Sequence, residues 1–339
     1  MKLIKKKDDK KTEQEKVEER REEVLAKGRK FKYPLQWTKH RVVVNTILIA
    51  IVVIGIVIAS GWLALYKFNM TDEMLFRITK IFPVSVAEVD GEKVRFSDYL
   101  MIYRSSIISI ERQSSQNEDH NSLDELRSQY RRAALDESEE YAYANKLAKE
   151  QNIEVSKDEI EKEFKRHLNV GGTERSEESF MKIISENFGL SKDEYERMLE
   201  LNLTKSKVEI AIDENANKVA EKVESILKQN GGDYSAVAEA LGDKIEFQET
   251  GGFVSTQNID GGRASEAFKL EPGQESGRFV SMNGDGYYFV KLIKKNESEV
   301  NFVSIKVPFT EFKTRFDKLR EDGKINEYID PAPTPEPES

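Results

Sequence analysis

Val42 to Leu65 is a run of 24 residues without a charged side chain, mostly Val, Ile, Leu and Ala, broken only by Asn45, Thr46, Gly55, Ser60 and Gly61. A helix needs about 20 apolar residues to cross the hydrocarbon layer of a bilayer. Core helices of soluble proteins seldom lack charge over such a length, so the run predicts a transmembrane helix over 42–66. Cleaved signals have short leaders and apolar cores of about 7–15 residues. Here 41 residues precede a longer core, which predicts a retained anchor. Lys27 to Arg41 holds six Lys/Arg and no acid. Positive charge stays cytoplasmic, which puts the N-terminus inside and residues from 67 onward outside. Trp37, Trp62 and Tyr66 fall where interfacial aromatics are expected.

Charge divides along the same line. Residues 1–41 carry 15 Lys/Arg against 8 Asp/Glu, a balance of +7, and 42–66 carry none; the chain's −9 therefore leaves −16 for residues 67–339. So acidic an outer region is a poor host for polyanions, and no nucleic-acid partner is expected. The chain has no cysteine, which excludes disulfides, thiol catalysis and Cys-ligated metals. Its three histidines, His40, His120 and His167, lie far apart and without metal-ligand spacing. No metal or other cofactor is expected.

The outer region opens with a short amphipathic segment, Thr71 to Phe82, expected as a juxtamembrane helix. Asp90-Gly91 between Val86–Val89 and Val94 is a tight-turn signal joining two short strands. Ser97 and Asp98 are N-cap candidates for a helix from Tyr99 to about Gln113. From Ser122 to Ile210 apolar residues recur at three- and four-residue spacing, the mark of helices. Ser156-Lys-Asp-Glu159 and Ser191-Lys-Asp-Glu194 are capping boxes, Gly171-Gly172 a loop and Gly189 a helix stop. The many carboxylates on these helices are expected on solvated faces and caps rather than in a catalytic pair. Further on, Lys207–Ile212 is expected as a strand, Asn215–Gln229 and Tyr234–Leu241 as helices, and Lys244–Phe247 and Gly252–Ser255 as strands. Ser265–Leu270 is expected as a short helix, and Arg278–Met282 with Gly286–Lys295 as a hairpin about Asn283-Gly-Asp285. Val300–Val307 alternates as a strand. Phe309, Phe312, Phe316 and Leu319 then mark a helix expected to pack on the preceding domain, with a peptide-binding ridge as the alternative. Pro331–Ser339, rich in Pro and Glu, is expected to be disordered.

Two resemblances follow from these pieces. Ala87-Glu-Val-Asp-Gly-Glu-Lys-Val-Arg-Phe-Ser-Asp-Tyr99, Ala144–Ile160 and Phe188-Gly-Leu-Ser-Lys-Asp-Glu-Tyr195, in that order and spacing, resemble the N-terminal chaperone domain of SurA/PrsA-type foldases. That resemblance implies an open, mostly helical cradle for unfolded polypeptide. Gly231–Ala240, Thr250-Gly-Gly-Phe253, Ala267-Phe-Lys-Leu-Glu-Pro-Gly-Gln-Glu-Ser276 and Gly286-Tyr-Tyr-Phe-Val-Lys291 resemble the parvulin domain of the same foldases. The second resemblance implies a β-α-α-β-α-β-β order and a peptidyl-prolyl isomerase site. The fold class expected is therefore α+β. It comprises a basic cytoplasmic tail over 1–41, a single transmembrane helix over 42–66, a SurA-like helical domain over 84–206 and a parvulin-like domain over 207–296. A C-terminal strand and helix over 297–330 and a disordered tail over 331–339 complete it.

At the isomerase positions the chain departs from the parvulin pattern. Parvulins carry a His on the first strand and another after Gly-Tyr in the last hairpin; here Val208-Glu-Ile-Ala-Ile212 has no His, and the second position is Tyr288. The pocket positions for the proline ring fall near Ile259 and Arg263, and the acidic position near Asp243. The resemblance thus implies Tyr288 and Asp243 as catalytic candidates, and Phe253, Ile259, Arg263, Phe268 and Tyr287 as the peptide-binding set. Prolyl isomerisation needs an apolar ring pocket and polar groups that favour the twisted amide over the planar one. Two missing imidazoles and an arginine in the ring pocket weaken both. The leading expectation is a membrane-anchored extracytoplasmic chaperone for unfolded or newly translocated polypeptides, with the secretion machinery as a further candidate partner. Met101, Tyr103, Phe180 and Met181 are candidates for an adaptable binding surface or for ordinary core, core being favoured. The alternatives are an active isomerase with an unusual site and a structural component of an envelope complex.

Overall fold

The computed structural model describes residues 13–114, 120–170, 173–258 and 260–331, and the chain divides into two compact units on either side of Ala64 and Leu65. The expected loop at Gly171-Gly172 and the tail beyond Pro331 lie outside the described residues.

The first unit is one helix, α1 (Glu13–Trp62). Its N-terminal part is a Lys/Glu run with pairs such as Lys27–Glu23 at 3.3 Å. Its later part is the apolar run. Arg41–Lys67 has a mean hydropathy of 3.1 and is, among the described residues, the one helix long and apolar enough to cross a membrane. Its hydroxyls are satisfied internally: Thr46 Oγ1 donates to the Val42 carbonyl and Ser60 Oγ to that of Val57.

The second unit opens with the helical lobe. Its elements are α2 (Glu73–Ile81), the hairpin β1 (Ser85–Val89) and β2 (Glu92–Arg95), α3 (Phe96–Ser114), α4 (His120–Gln151) and α5 (Lys157–Leu168). A two-residue ladder, β3 (Asn169–Val170) with β4 (Thr173–Glu174), then leads to α6 (Glu177–Phe188) and α7 (Lys192–Ile212). Local chemistry sets these ends. Asp90 and Gly91 both take positive φ, 47° and 87°, as the tight turn demands. Both serine capping boxes form, and Gly189 ends α6 in the left-handed conformation. The helix α3 starts at Phe96, earlier than expected, so Ser97 and Asp98 lie within its first turn; Asp98 pairs with Arg197 of α7 at 2.8 Å. Phe96, Leu100, Leu135 and Leu201 are fully buried where α3, α4 and α7 pack. Met101, Tyr103 and Phe180 are buried too, which assigns them to the core rather than to a binding surface.

Lys207–Ile212, expected as a strand, is the last part of α7. Leu201, Thr204, Val208 and Ile212 are all buried, and their three- and four-residue spacing keeps the segment helical. The sheet lobe follows: α8 (Glu214–Gln229), α9 (Tyr234–Leu241), β5 (Glu246–Glu249), β6 (Val254–Ser255), α10 (Arg263–Phe268), β7 (Phe279–Val280), β8 (Gly286–Lys295) and β9 (Glu299–Pro308). The strands form an antiparallel sheet in the order β5-β9-β8-β7, with β6 also on β9. On one face α8 and α9 cover Tyr287, Phe289, Ile305 and Val307. On the other, α10 covers Val290, Leu292, Val300 and Phe302.

After β9 the chain returns to the helical lobe as α11 (Glu311–Glu321) and β10 (Ile325–Glu327). The strand β10 adds antiparallel to β1, pairing Ala87 with Glu327. Phe312 and Phe316 are buried against Tyr143 of α4, ring centroids 5.3 and 5.9 Å away. They therefore form neither a ridge nor a cover for the sheet lobe. Arg132 holds Glu327 through two 2.8 Å bonds and Asp136 through bonds of 2.6 and 3.2 Å, while Arg320 reaches Asp136 at 2.7 Å and Glu139 at 3.0 Å. Glu139 is completely buried, contrary to the expectation of solvated helix carboxylates.

Candidate functional site

The two lobes meet along a groove of ≈ 780 Å³. Its helical wall is α5, through Glu159, Lys162, Glu163 and Arg166, together with Leu203 of α7; its opposite wall carries Thr256, Gly262, Phe268, Phe279 and Met282. Gly262 permits the close approach of α10 to the β7–β8 turn: it sits at φ 89°, and an added Cβ would lie 3.0 Å from the Met282 side chain. The apolar part of the lining, Leu203, Phe268, Phe279 and Met282, is interspersed with charges of both signs. Such a surface meets varied side chains without a fixed hydrogen-bond pattern.

A smaller recess continues the groove between α7 and the Ser281–Gly284 turn and includes Glu209. Burial, joined by Glu140, Asp285 and Asp213, pushes the Glu209 carboxyl up to about 7, against the opposing pull of Lys205.

Two of the candidate isomerase residues come together behind this groove. Tyr288 on β8 and Arg263 at the start of α10 stack, the guanidinium 5.2 Å from the ring centroid. Arg263 is held through two of its nitrogens: Nε donates to the Asp260 carbonyl at 2.8 Å, and Nη1 to Gln248 Oε1 at 2.6 Å and Ser304 Oγ at 3.4 Å. The Tyr288 hydroxyl donates to Asp285 at 3.4 Å, and Asp285 also accepts from Ser281 and pairs with Lys306 at 3.0 Å. Burial and the neighbouring Asp285 raise the Tyr288 phenol above its ordinary value. For Asp285 burial alone would raise the pKa, but bonds from Ser281 and Lys306 hold it below the ordinary range. At neutral pH the cluster is therefore a neutral phenol beside a carboxylate–ammonium pair, with none of the three near its titration point.

The other candidates lie elsewhere. Tyr287 points to the opposite face of the sheet, where its hydroxyl donates to Asn217 of α8 at 2.6 Å and its ring packs on Phe309. Alternation along a strand forbids it from sharing the Tyr288 face. Asp243 is exposed at the end of α9, and α9 covers that same opposite face. Phe268 lines the groove, Phe253 is half-exposed ahead of β6, and Ile259 lies outside the described residues. Ser304, Gln248 and Lys306, which hold Arg263 or Asp285, were not legible as site residues. Ser304 and Lys306 sit on a strand read as lying outside the domain.

The site is thus an open groove of mixed character between two lobes, with a polar cluster of Arg263, Tyr288, Asp285 and Lys306 behind it. The profile of the SurA-like N-terminal domain matches residues 35–209, more than half of the chain, and the chain belongs to that family, whose domains bind unfolded polypeptides. The match begins ahead of the apolar span and ends within α7. No curated protein matches the chain.

Proposed function

We propose that this chain is a membrane-anchored extracytoplasmic holdase that receives unfolded or newly translocated polypeptides in the groove between its lobes. The single observation that carries this reading is the groove itself: apolar patches among both signs of charge, in a chain of a chaperone family. Residues 42–66 serve as the anchor and 1–41 as the cytoplasmic tail. Tethering keeps the groove at the membrane face where clients emerge and raises its effective concentration there. The secretion machinery is the natural neighbour.

The sheet lobe is a parvulin-like unit without isomerase activity. Moving β9 ahead of α8 and setting aside the two-residue β6 gives the order β-α-α-β-α-β-β, so β9 would stand in for the first strand missing from the front. On the Tyr288 face β9 presents Val300, Phe302, Ser304 and Lys306; none is an imidazole. Arg263, held by Gln248, Asp260 and Ser304, occupies the space beside Tyr288. Together these leave neither an apolar ring pocket nor an imidazole to favour the twisted amide.

The full chain in lipid nanodiscs is expected to suppress aggregation of several unrelated unfolded clients, and Met282→Asp to weaken that suppression while leaving the fold intact by circular dichroism. A proline-limited refolding assay is expected to show no rate above background, unchanged in Tyr288→Ala. A rate lost in Tyr288→Ala would establish an isomerase instead. A single stoichiometric partner with no aggregation suppression would establish a structural component.

A further inference from the structure

The helix α2 carries two apolar faces, and only one has a protein partner. Leu75, Phe76 and Thr79 are buried, packed toward α3. Met74, Ile78 and Ile81 recur at i, i+4 and i+7 on another face, and Met74 and Ile81 are 71% and 73% exposed. Phe82 just after the helix, and Phe68 and Met70 just before it, are exposed as well. Lone exposed apolar residues are ordinary; six within fifteen positions are not. The flanking charges are paired. Arg77 pairs with Glu73 at 2.8 Å and Lys80 with Glu194 at 3.1 Å.

Two observations fix what lies against this face. The chain allows it little distance: four residues, 68–71, separate Lys67, the last of the apolar span, from the N-cap Asp72, so the five steps between them cover at most about 17 Å of extended chain. The helix α2 adds only about 14 Å. The far end of the span is also fastened to the same lobe. Tyr66 donates a 2.7 Å bond to the Ser85 carbonyl at the start of β1, and its ring meets Phe96 edge-on at 5.7 Å. A bilayer holding the span therefore has its outer surface within reach of Phe68–Phe82.

We infer that Phe68, Met70, Met74, Ile78, Ile81 and Phe82 form an interfacial patch that inserts into the headgroup–acyl boundary of the outer leaflet and lays the helical lobe against the membrane. This inference rests on the anchor reading of residues 42–66. Short amphipathic helices with an uncharged stripe bind bilayers in this way.

The absence of native cysteine permits a clean test. Single cysteines are placed in the full chain at Met74→Cys, Ile81→Cys, Val53→Cys and Lys218→Cys, labelled with an environment-sensitive fluorophore, and reconstituted in phosphatidylcholine/phosphatidylglycerol vesicles containing doxyl-lipids. Val53→Cys reports the span and Lys218→Cys an exposed position on α8. The expected result is strong quenching at Val53, clear quenching by shallow doxyl-lipids at Met74 and Ile81, and none at Lys218. Quenching at Val53 with Met74 and Ile81 matching Lys218 would overturn the patch and leave the anchor standing. No quenching at Val53 would overturn the anchor reading and the patch with it. Energy transfer between donor- and acceptor-labelled Met74→Cys chains without lipid quenching would give the face to a second copy and overturn the inference.

Discussion

Replacing Asp213 with alanine isolates the joint that holds the groove's two walls. This buried carboxylate stands between α7 and α8 and also receives the chain as it leaves β9. Oδ1 accepts from the Ala216 amide at 2.8 Å; Oδ2 accepts from the Thr310 and Glu311 amides at 2.8 and 3.1 Å. One side chain thus caps α8 and ties both passages of the chain between lobes. Hydrogen bonds to a charged acceptor contribute about 1.5–3 kcal/mol each, and losing an N-cap costs about 0.5–2 kcal/mol. Water can reach the half-buried Thr310 and Glu311 amides after truncation, so the expected loss for Asp213→Ala is about 3–5 kcal/mol. Asp213→Asn keeps one acceptor and should lose about half of that. The assay is guanidinium unfolding of the nanodisc-embedded chain by circular dichroism, paired with amide exchange over 310–329. Asp213→Ala within about 0.5 kcal/mol of wild type, with exchange over 310–329 unchanged, would refute the joint.

Three further outcomes are expected. Burial and the neighbouring Glu327 and Asp136 push Glu139 up to about 8 against the pull of Arg132 and Arg320. A carboxyl raised in the folded state holds a proton that the unfolded chain has released, so its contribution falls as pH climbs from about 4.5 to about 8 and is flat above. Glu139→Gln should therefore flatten the denaturation midpoint over that window relative to wild type; identical pH profiles would contradict it. Arg132→Ala removes both bonds to Glu327 and leaves Glu139 with less compensation, which should cost about 3 kcal/mol or more and speed exchange at the β1–β10 ladder; an unchanged midpoint would contradict that. Ser156→Ala and Ser191→Ala each break a capping box and should cost about 1 kcal/mol in thermal or chemical unfolding; stability unaltered in both would mean the caps carry no weight.

Much of the helical lobe was legible because its signals are local. Ser156 and Ser191 with Glu159 and Glu194, the Asp90-Gly91 turn and Gly189 each act within a few residues, and each holds in the structure. What was not legible depends on partners far along the chain. Val208-Glu-Ile-Ala-Ile212 suits a strand or a helix in isolation; the burial of Val208 and Ile212 on one helical face decides it. The strand Val300–Val307 was visible as a strand, but its central place between β5 and β8 is a pairing that alternation cannot announce. The same holds for β10, whose three residues complete a hairpin more than 230 positions upstream. In the candidate site, the motif positions named Arg263 and Tyr288 but not their stacking, which the structure supplies. Ser304 and Gln248, which fix Arg263, were not named, because nothing in their local sequence marks them.

Client contact in the groove is read directly by site-specific photocrosslinking. Single cysteines at Met282 and Lys162, one on each wall, and at Lys218 on α8 are labelled with a photoactivatable benzophenone, and an unfolded client is added to the nanodisc-embedded chain. Client adducts are expected from Met282 and Lys162, suppressed by excess unlabelled client, and none from Lys218. Equal adducts at all three positions, or none from the groove while aggregation is still suppressed, would contradict client contact there.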